Sequence, residues 1–552
     1  MPKNKRLNHL LSRALGHPTT LLRGGSHSNS SANKWNNKGV QLVEKQHYEE
    51  AQKGFEKALQ LLESSSSSSS TSNYSKFKEG PVSTSASSES PSSRSLLLQY
   101  LNQVLSSSFA HPDWETTVYQ EDSSQACFIQ YRAEYEEGMD WWFQRPLRYV
   151  PPHDPQHNHR SQQCFFLLEA TILYNLGRLH HQYHSTATAT TGQGQLQKAL
   201  SLYKRALEAL MLAIPPSTTT SETTKTTTPR HHDESSSSLL ALAIVMGIGH
   251  IQYSVVDHDL AIQTFAISHS MANLLFGAGS LEEAACLNCI GVLHYVMEHG
   301  DEEIAVQALT SCLQTRRRLL GNSHIDVGTV LNNLGRIYFQ KGSTTNLEQA
   351  KRSYMEALSI RRSHKPNGID VAATLFNLAQ VFQQEHELDK ALRLYQEFLK
   401  RARATFGEHH RDVAVVVTCI GAVLQEQGHP TKALAAFQQA LSIGRIALGE
   451  NHCEVAITLN KLGNLYYSMG DLKSALKTYR AGIVVETAVL EKGNPNIVVS
   501  YSNCAEIYKQ RAEFNNALKC YKKVLKMQRE YNYDKLEVAS TLSNMGKFFC
   551  IL

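Results

Sequence analysis

An alanine recurs at positions 391, 433, 475 and 517, a constant step of 42 residues, and each copy leads the same run. A copy just upstream reads Ala350-x-x-x-Tyr354-x-x-Ala357-Leu358, and others start at Ala51, Ala199, Ala261 and Ala305. Ahead of each lies a second pattern centred on a glycine or alanine. It reads Leu331-Asn-Asn-Leu334-Gly335-Arg-Ile-Tyr338, then Leu375…Leu378-Ala379…Phe382, Val417…Ile420-Gly421…Leu424 and Leu459…Leu462-Gly463…Tyr466. It returns as Tyr501…Cys504-Ala505…Tyr508 and Leu542…Met545-Gly546…Phe549. Apolar residues at i, i+3, i+4 and i+7 mark one face of a helix in both halves. Turn residues such as Gln427-Gly428-His429-Pro430 part the halves, so each unit predicts an antiparallel helical pair, helix A then helix B. One such pair cannot bury its apolar face alone, and a period of this size obliges the pairs to stack.

The small residues fit that stack. Gly or Ala at 335, 379, 421 and 463 lets helix A approach helix B, and Ala350, Ala391 and Ala433 do the same from the other side. The aromatic rings at Tyr354, Tyr395, Phe437, Tyr479 and Tyr521 then fill the space between repeats. The predicted fold is all-α: a right-handed solenoid of helical hairpins with Ser/Thr-rich inserts.

Trp35, Gly39, Ala51, Phe55 and Ala58 fit the pattern W-x2-L-G-x2-Y…A-x3-F…A-L, with Lys38 in the leucine slot. At this point the chain resembles the tetratricopeptide-repeat family. The linkers Leu320-Gly-Asn-Ser-His324-Ile-Asp326-Val327 and Phe406-Gly-Glu-His-His410-Arg-Asp412-Val413 look like those of its kinesin-light-chain subclass, as does Leu448-Gly-Glu-Asn-His452. The resemblance implies a non-catalytic scaffold whose A helices line a concave groove for a segment of another protein. Kinesin light chains also carry a long N-terminal heptad coiled coil, and residues 1–160 here show no sustained heptads, which disfavours the further alternative of a kinesin-light-chain-type cargo adaptor.

The organisation read along the chain starts with a basic tail, 1–32, holding no acid and expected to be disordered. A first hairpin (33–63), a Ser-rich disordered linker (64–126) and an aromatic insert (127–163) follow. A second hairpin (164–214) and a Ser/Thr-rich insert (215–238) lead to the main array (239–552), with about seven hairpins and an unpaired terminal helix. Seven consecutive serines and few large apolar residues cannot offset chain entropy in the linker. A further polar insert, 184–194, is read as a loop. The N-terminus lacks the apolar core of a secretory signal, so a cytoplasmic location is expected, with a mitochondrial or plastid location as the alternative if the basic tail is a presequence. No run of ~18 apolar residues is present, so no membrane span is expected.

Chemistry-bearing motifs are sparse. Cys286-x-x-Cys289 is the one CxxC, without a second pair at zinc spacing. His153, Asp154, His157 and His159 lie in a proline-flanked stretch, and His231-His232-Asp233 in a Thr/Ser insert, both poor frames for a metal. His180, His181 and His184 end a helix and are read as capping it or meeting solvent. No phosphate-binding loop and no nucleophile elbow occurs. Neither an enzyme, a metal nor a cofactor is implied.

The candidate site is therefore a surface. Residues three before and one after the helix-A glycine lie four apart, on one face. The first column reads Asn288, Asn332, Phe376, Thr418, Asn460, Ser502 and Ser543; the second reads Val292, Arg336, Gln380, Ala422, Asn464, Glu506 and Lys547. Asn333, Asn377, Asn503 and Asn544 stand beside them. Amides donate and accept, so ranks of Asn either bind the backbone of an extended peptide or bridge adjacent repeats. The lysine–asparagine clamp of chaperone-tail receptors is not assembled, since the first repeats read Asn36/Val40 and Tyr174/Arg178. Arg317, Arg361, Arg403 and Arg445 are read as one position near the end of helix B, a basic stripe that either offsets helix dipoles or faces an acidic partner or RNA. The expected function is a protein-interaction scaffold. An RNA-associated repeat protein, organellar if the basic tail is a presequence, is the disfavoured alternative, and weak self-association is expected through the apolar C-terminal helix.

Overall fold

A computed structural model describes residues 20–23, 30–44, 48–66, 93–108, 147–150, 166–178, 189–214, 231–254, 257–297, 300–366, 368–490, 493–531 and 533–549. These fall into two compact units, one up to residue 319 and one from 320 onward. The fold is an all-α array of hairpins. The aromatic segment outside 147–150, the serine tract beyond Ser66 and the histidine cluster at 153–159 lie outside the described residues, as do His180, His181 and His184.

The first unit opens with a strand, β1 (Thr20–Arg23), and two helices, α1 (Ser30–Glu44) and α2 (Tyr48–Ser66). Then come α3 (Ser93–Ser108), β2 (Leu147–Val150), α4 (166–178), α5 (Ala189–Ala213), α6 (His231–Ser254), α7 (His258–Phe276), α8 (Leu281–Val296) and α9 (Glu302–Leu320). β1 and β2 pair in parallel, Thr20 opposite Leu147 and Arg23 opposite Val150.

Several spans read as unstructured are not. Thr20–Arg23 of the basic tail is a strand, and the serine-rich linker contains α3. Leu97, Leu101 and Val104 give α3 an apolar stripe at helical spacing; all three are buried, and α3 packs on α5, α6 and α7. Both polar inserts are shortened from their C-terminal ends, because α5 starts at Ala189 and α6 at His231.

The second unit holds five hairpins and a further helix. They are α10 (Ile325–Lys341) with α11 (Thr344–His364), α12 (Ile369–Gln384) with α13 (Leu388–Phe406), and α14 (Arg411–Glu426) with α15 (Pro430–Leu448). α16 (Cys453–Ser468) with α17 (Leu472–Val489), α18 (Pro495–Gln510) with α19 (Phe514–Glu530), and α20 (Lys535–Phe549) complete it. Each B helix packs on its own A helix and on the next, from α11 on α12 to α19 on α20.

In several hairpins the core is a ring laid on a glycine. A Cβ placed on Gly335 would meet the Tyr354 ring at 2.7 Å; on Gly421, Phe437 at 2.8 Å; on Gly463, Tyr479 at 2.8 Å. Gly39 with Phe55 and Gly249 with Phe265 repeat this in the first unit. The ring therefore sits inside its own hairpin. Tyr203 also reaches the neighbouring one, lying 2.9 Å from the Cβ positions of both Gly177 and Gly247. Burying one such side chain is worth ~1.5–3 kcal/mol.

Helix starts are capped by a recurring device. His324, His410 and His452 each accept, at Nδ1, the backbone N–H two residues on, from Asp326, Asp412 and Glu454, at 3.2 Å in all three. The A–B turns place a left-handed residue five before the helix-B alanine. It is Gly428 and Gly470 in two hairpins but His386 (φ 58°) and Ala512 (φ 56°) in two others. Cysteines 286, 289, 312, 419, 453 and 504 are buried, and Cys520 is half-buried.

Candidate functional site

The helix-A amides divide by burial. In the second unit Asn332, Asn333 and Asn377 are buried, and the Asn377 amide donates to Asn332 Oδ1 at 3.3 Å, tying α12 to α10. In the first unit Asn175 of α4 donates to Asn36 of α1 at 3.0 Å, both fully buried. Asn288 on α8 is likewise fully buried. These amides carry stacking.

The remaining candidates keep exposure. Gln380, Asn460, Asn503 and Asn544 are half-buried and Asn464 is exposed, its Oδ1 accepting from the Tyr479 hydroxyl. Arg336, at 8% exposed, is buried with the stacking amides and does not share that exposure. Helix-A surfaces thus open progressively along the second unit. Residues 371–379 of α12 and 413–421 of α14 are buried without a break, whereas α16 and α18 show Asn464, Tyr467, Tyr501, Asn503, Glu506 and Lys509 at least partly to solvent.

A second set of positions, missed in the sequence, joins consecutive repeats. Eleven residues after the helix-B alanine stand Arg316, Arg361, Ala402, Gly444, Glu486 and Gln528, and all are buried. Arg361 donates to Thr374 Oγ1 at 2.7 Å and to the Asp370 carbonyl at 2.8 Å, both in the next A helix. Glu486 occupies the same place one hundred and twenty-five residues on. It accepts from Ser500 Oγ at 3.1 Å, and Ser500 stands at the helix-A position equivalent to Thr374. It also accepts from the Asn460 amide at 2.6 Å. The signal was present as a fixed offset, but beyond the arginines at 316 and 361 its side chains (Ala402, Gly444, Glu486, Gln528) share no chemistry.

That slot corrects the basic stripe. Arg361 is one residue out of phase with Arg317, Arg403 and Arg445, because it falls at the eleventh rather than the twelfth position. It is 2% exposed and displays no charge. Its neighbour Arg362 holds the stripe position and pairs with Glu397 at 3.0 Å. Arg403 pairs with Glu408 and Arg445 with Glu450, each at 2.9 Å, across the glycine that ends the helix. Arg317 is half-buried on α9. Acids thus neutralise the outward-facing positions of the second unit.

Cys286 and Cys289 are fully buried, and Cys286 Sγ lies 3.7 Å from Met246 Sδ, so this CxxC is packing. Among the described residues no group of three His, Cys, Asp or Glu side chains is placed to hold a metal, and no helix is long and apolar enough to cross a membrane.

Stacked A/B hairpins with amide-bearing A helices define a helical-repeat scaffold for protein interaction. Tetratricopeptide-repeat models match residues 343–404, 370–443 and 412–483, as well as 284–326 and 500–531. The chain carries tetratricopeptide repeats over these residues. No curated protein sequence matches it. Among solved structures it is similar to BtubC (BKLC) of P. vanneervenii, at 19% identity over 42% of this chain and 92% of that one, TM-score 0.37. A putative kinesin light chain of Podosopora anserina with nearly identical TPR-like repeats matches at 16% identity over 38% and 99%, TM-score 0.33. MamA of Desulfovibrio magneticus RS-1 matches at 14% over 37% and 96%, TM-score 0.28.

Proposed function

We propose that the protein is a scaffold that binds an extended segment of a partner protein on the A-helix surface of its second unit, centred on α16 and α18. The observation that carries this is the split among the amides. The Asn377 amide of α12 is spent on Asn332 of α10, while Asn464, three residues before Tyr467, and Asn503 keep solvent-facing capacity, with Tyr501 half-buried on α18. Amides and phenols hydrogen-bond a peptide backbone without demanding one sequence, and aromatic anchors supply most of the affinity. Peptides selected from a displayed random library against the full chain test this. Asn503→Ala with Tyr501→Ala should weaken the selected peptides at least tenfold, while Val484→Ala, on an exposed patch of α17, leaves them unchanged. Equal loss in both variants, or in neither, would remove the reading. The pairing of Arg362, Arg403 and Arg445 with acids weighs against the arginine stripe as a surface for RNA.

The large apolar side chains exposed on α20, Leu536 at 76% and Leu542 at 43%, support weak self-association. Leu536→Lys should abolish any rise of mass with concentration in light scattering; a mass independent of concentration in the parent chain removes it.

A further inference from the structure

The inter-repeat slot is filled by an arginine between α11 and α12 and by a carboxylate between α17 and α18. Glu486 is 1% exposed. Its Oε1 accepts from both Asn460 and Ser500, and its Oε2 has no hydrogen-bond partner. Among the described residues no Lys, Arg or His reaches it within 4.0 Å; Asn460 faces it from α16, Ser500 and Cys504 from α18. Cys504 brings no compensating charge. Burial first, and then Cys520 of α19, hold its thiol at about 12, against the lowering influence of Arg480 on α17. On α16, Lys461 and Glu454 act on Cys419 of α14.

We propose that Glu486 makes the α16–α17–α18 junction a proton-dependent latch, closed when the carboxyl is protonated and loosened when it ionises. A neutral acid accepts from Asn460 and Ser500 at one oxygen and costs far less to bury than a carboxylate, which suits a closed, dry slot. A carboxylate there is an uncompensated buried charge, and such a charge opposes closure. Burial accordingly pushes the Glu486 carboxyl above its ordinary value, against the hydrogen bonds from Ser500 and Asn460. The sign follows: a raised acid contributes stability that is complete below the ordinary glutamate value and is lost as pH rises through the folded one. The junction at Arg361 has no titrating group in its slot and serves as an internal reference.

Hydrogen exchange of the full chain between pH 5 and 8, corrected for intrinsic rate, tests this. Amides of α16–α18 should lose about tenfold in protection, relative to those of α11–α12, for each unit by which the folded carboxyl exceeds the unfolded one. In Glu486→Gln, which keeps the neutral shape, that relative loss should vanish and protection stay at the low-pH level. A relative loss that persists in Glu486→Gln overturns the latch. So does a carboxyl carbon NMR titration of Glu486 with a midpoint at or below the ordinary glutamate value, a readout that does not depend on any variant folding.

Discussion

Arg361 of α11 and Thr374 of α12 meet at 2.7 Å between Nη1 and Oγ1, with both side chains buried, so one guanidinium fastens two consecutive hairpins. Its second bond, to the Asp370 carbonyl, fixes the start of α12. Arg361→Ala should destabilise the chain by ~2–4 kcal/mol, since it strands buried acceptors and opens a cavity. Arg361→Lys should recover less than half, because the shorter lysine stem holds its ammonium back from the two acceptors that Nη1 reaches. Urea denaturation measures both; an alanine variant within 0.5 kcal/mol of the parent would show that the bridge is idle.

Ala512 and His386 take the left-handed backbone that Gly428 and Gly470 take elsewhere. A side chain in that region costs ~1 kcal/mol. Ala512→Gly should therefore raise stability by up to ~1 kcal/mol although it removes a methyl group, with an upward shift in thermal midpoint as the readout. A downward shift would refute the strain.

Gly463 faces the Tyr479 ring so closely that an added Cβ would lie 2.8 Å from it. Gly463→Ala gains ~1 kcal/mol of helix propensity and loses ~1–3 kcal/mol to overpacking, so a net loss near 1 kcal/mol is expected. The α12–α13 hairpin shows the accommodation needed. Alanine already stands at 379 there, and the Tyr395 ring sits edge-on to Phe376 with centroids 5.6 Å apart. A stabilised Gly463→Ala would mean that the ring moves freely.

His250 is buried in α6 beside Phe265, and burial lowers its pKa from 6.5 to about 4. The unfolded chain then binds the extra proton first, so stability is full above about 6.5 and declines as pH falls toward 4, by ~3 kcal/mol in all. Denaturation at pH 7 and pH 4.5 should show this loss, and His250→Met should remove it. Equal loss in both proteins would place the sensitivity elsewhere.

The hairpins were legible because glycine, alanine and ring recur at fixed offsets, and each has one steric task. The ring's seat inside its own hairpin was not, since offsets give spacing and not direction. α3 escaped notice because serines surround Leu97, Leu101 and Val104, although their spacing is helical. The β1–β2 pair was invisible, joining four-residue runs far apart in sequence. Among the site residues, the sequence could not say whether an amide turns to its neighbour or to solvent. Asn377, two before the helix-A alanine, does the first, and Asn464, one after the helix-A glycine, stands exposed on the same kind of helix. Arg361 was misplaced by one residue, and on a helix that single step rotates a side chain ~100° from surface to interior.

The buried thiols give the protein a set of native reporters. Cys419 and Cys504 are held up at about 11 and about 12, chiefly by burial, so their thiolates are scarce at neutral pH. Alkylating reagents will stay silent at these sites until the enclosing helix opens. With Cys286, Cys312, Cys419, Cys453 and Cys504 on five different helices, timed alkylation and peptide mapping would chart which hairpins breathe first without a single engineered label.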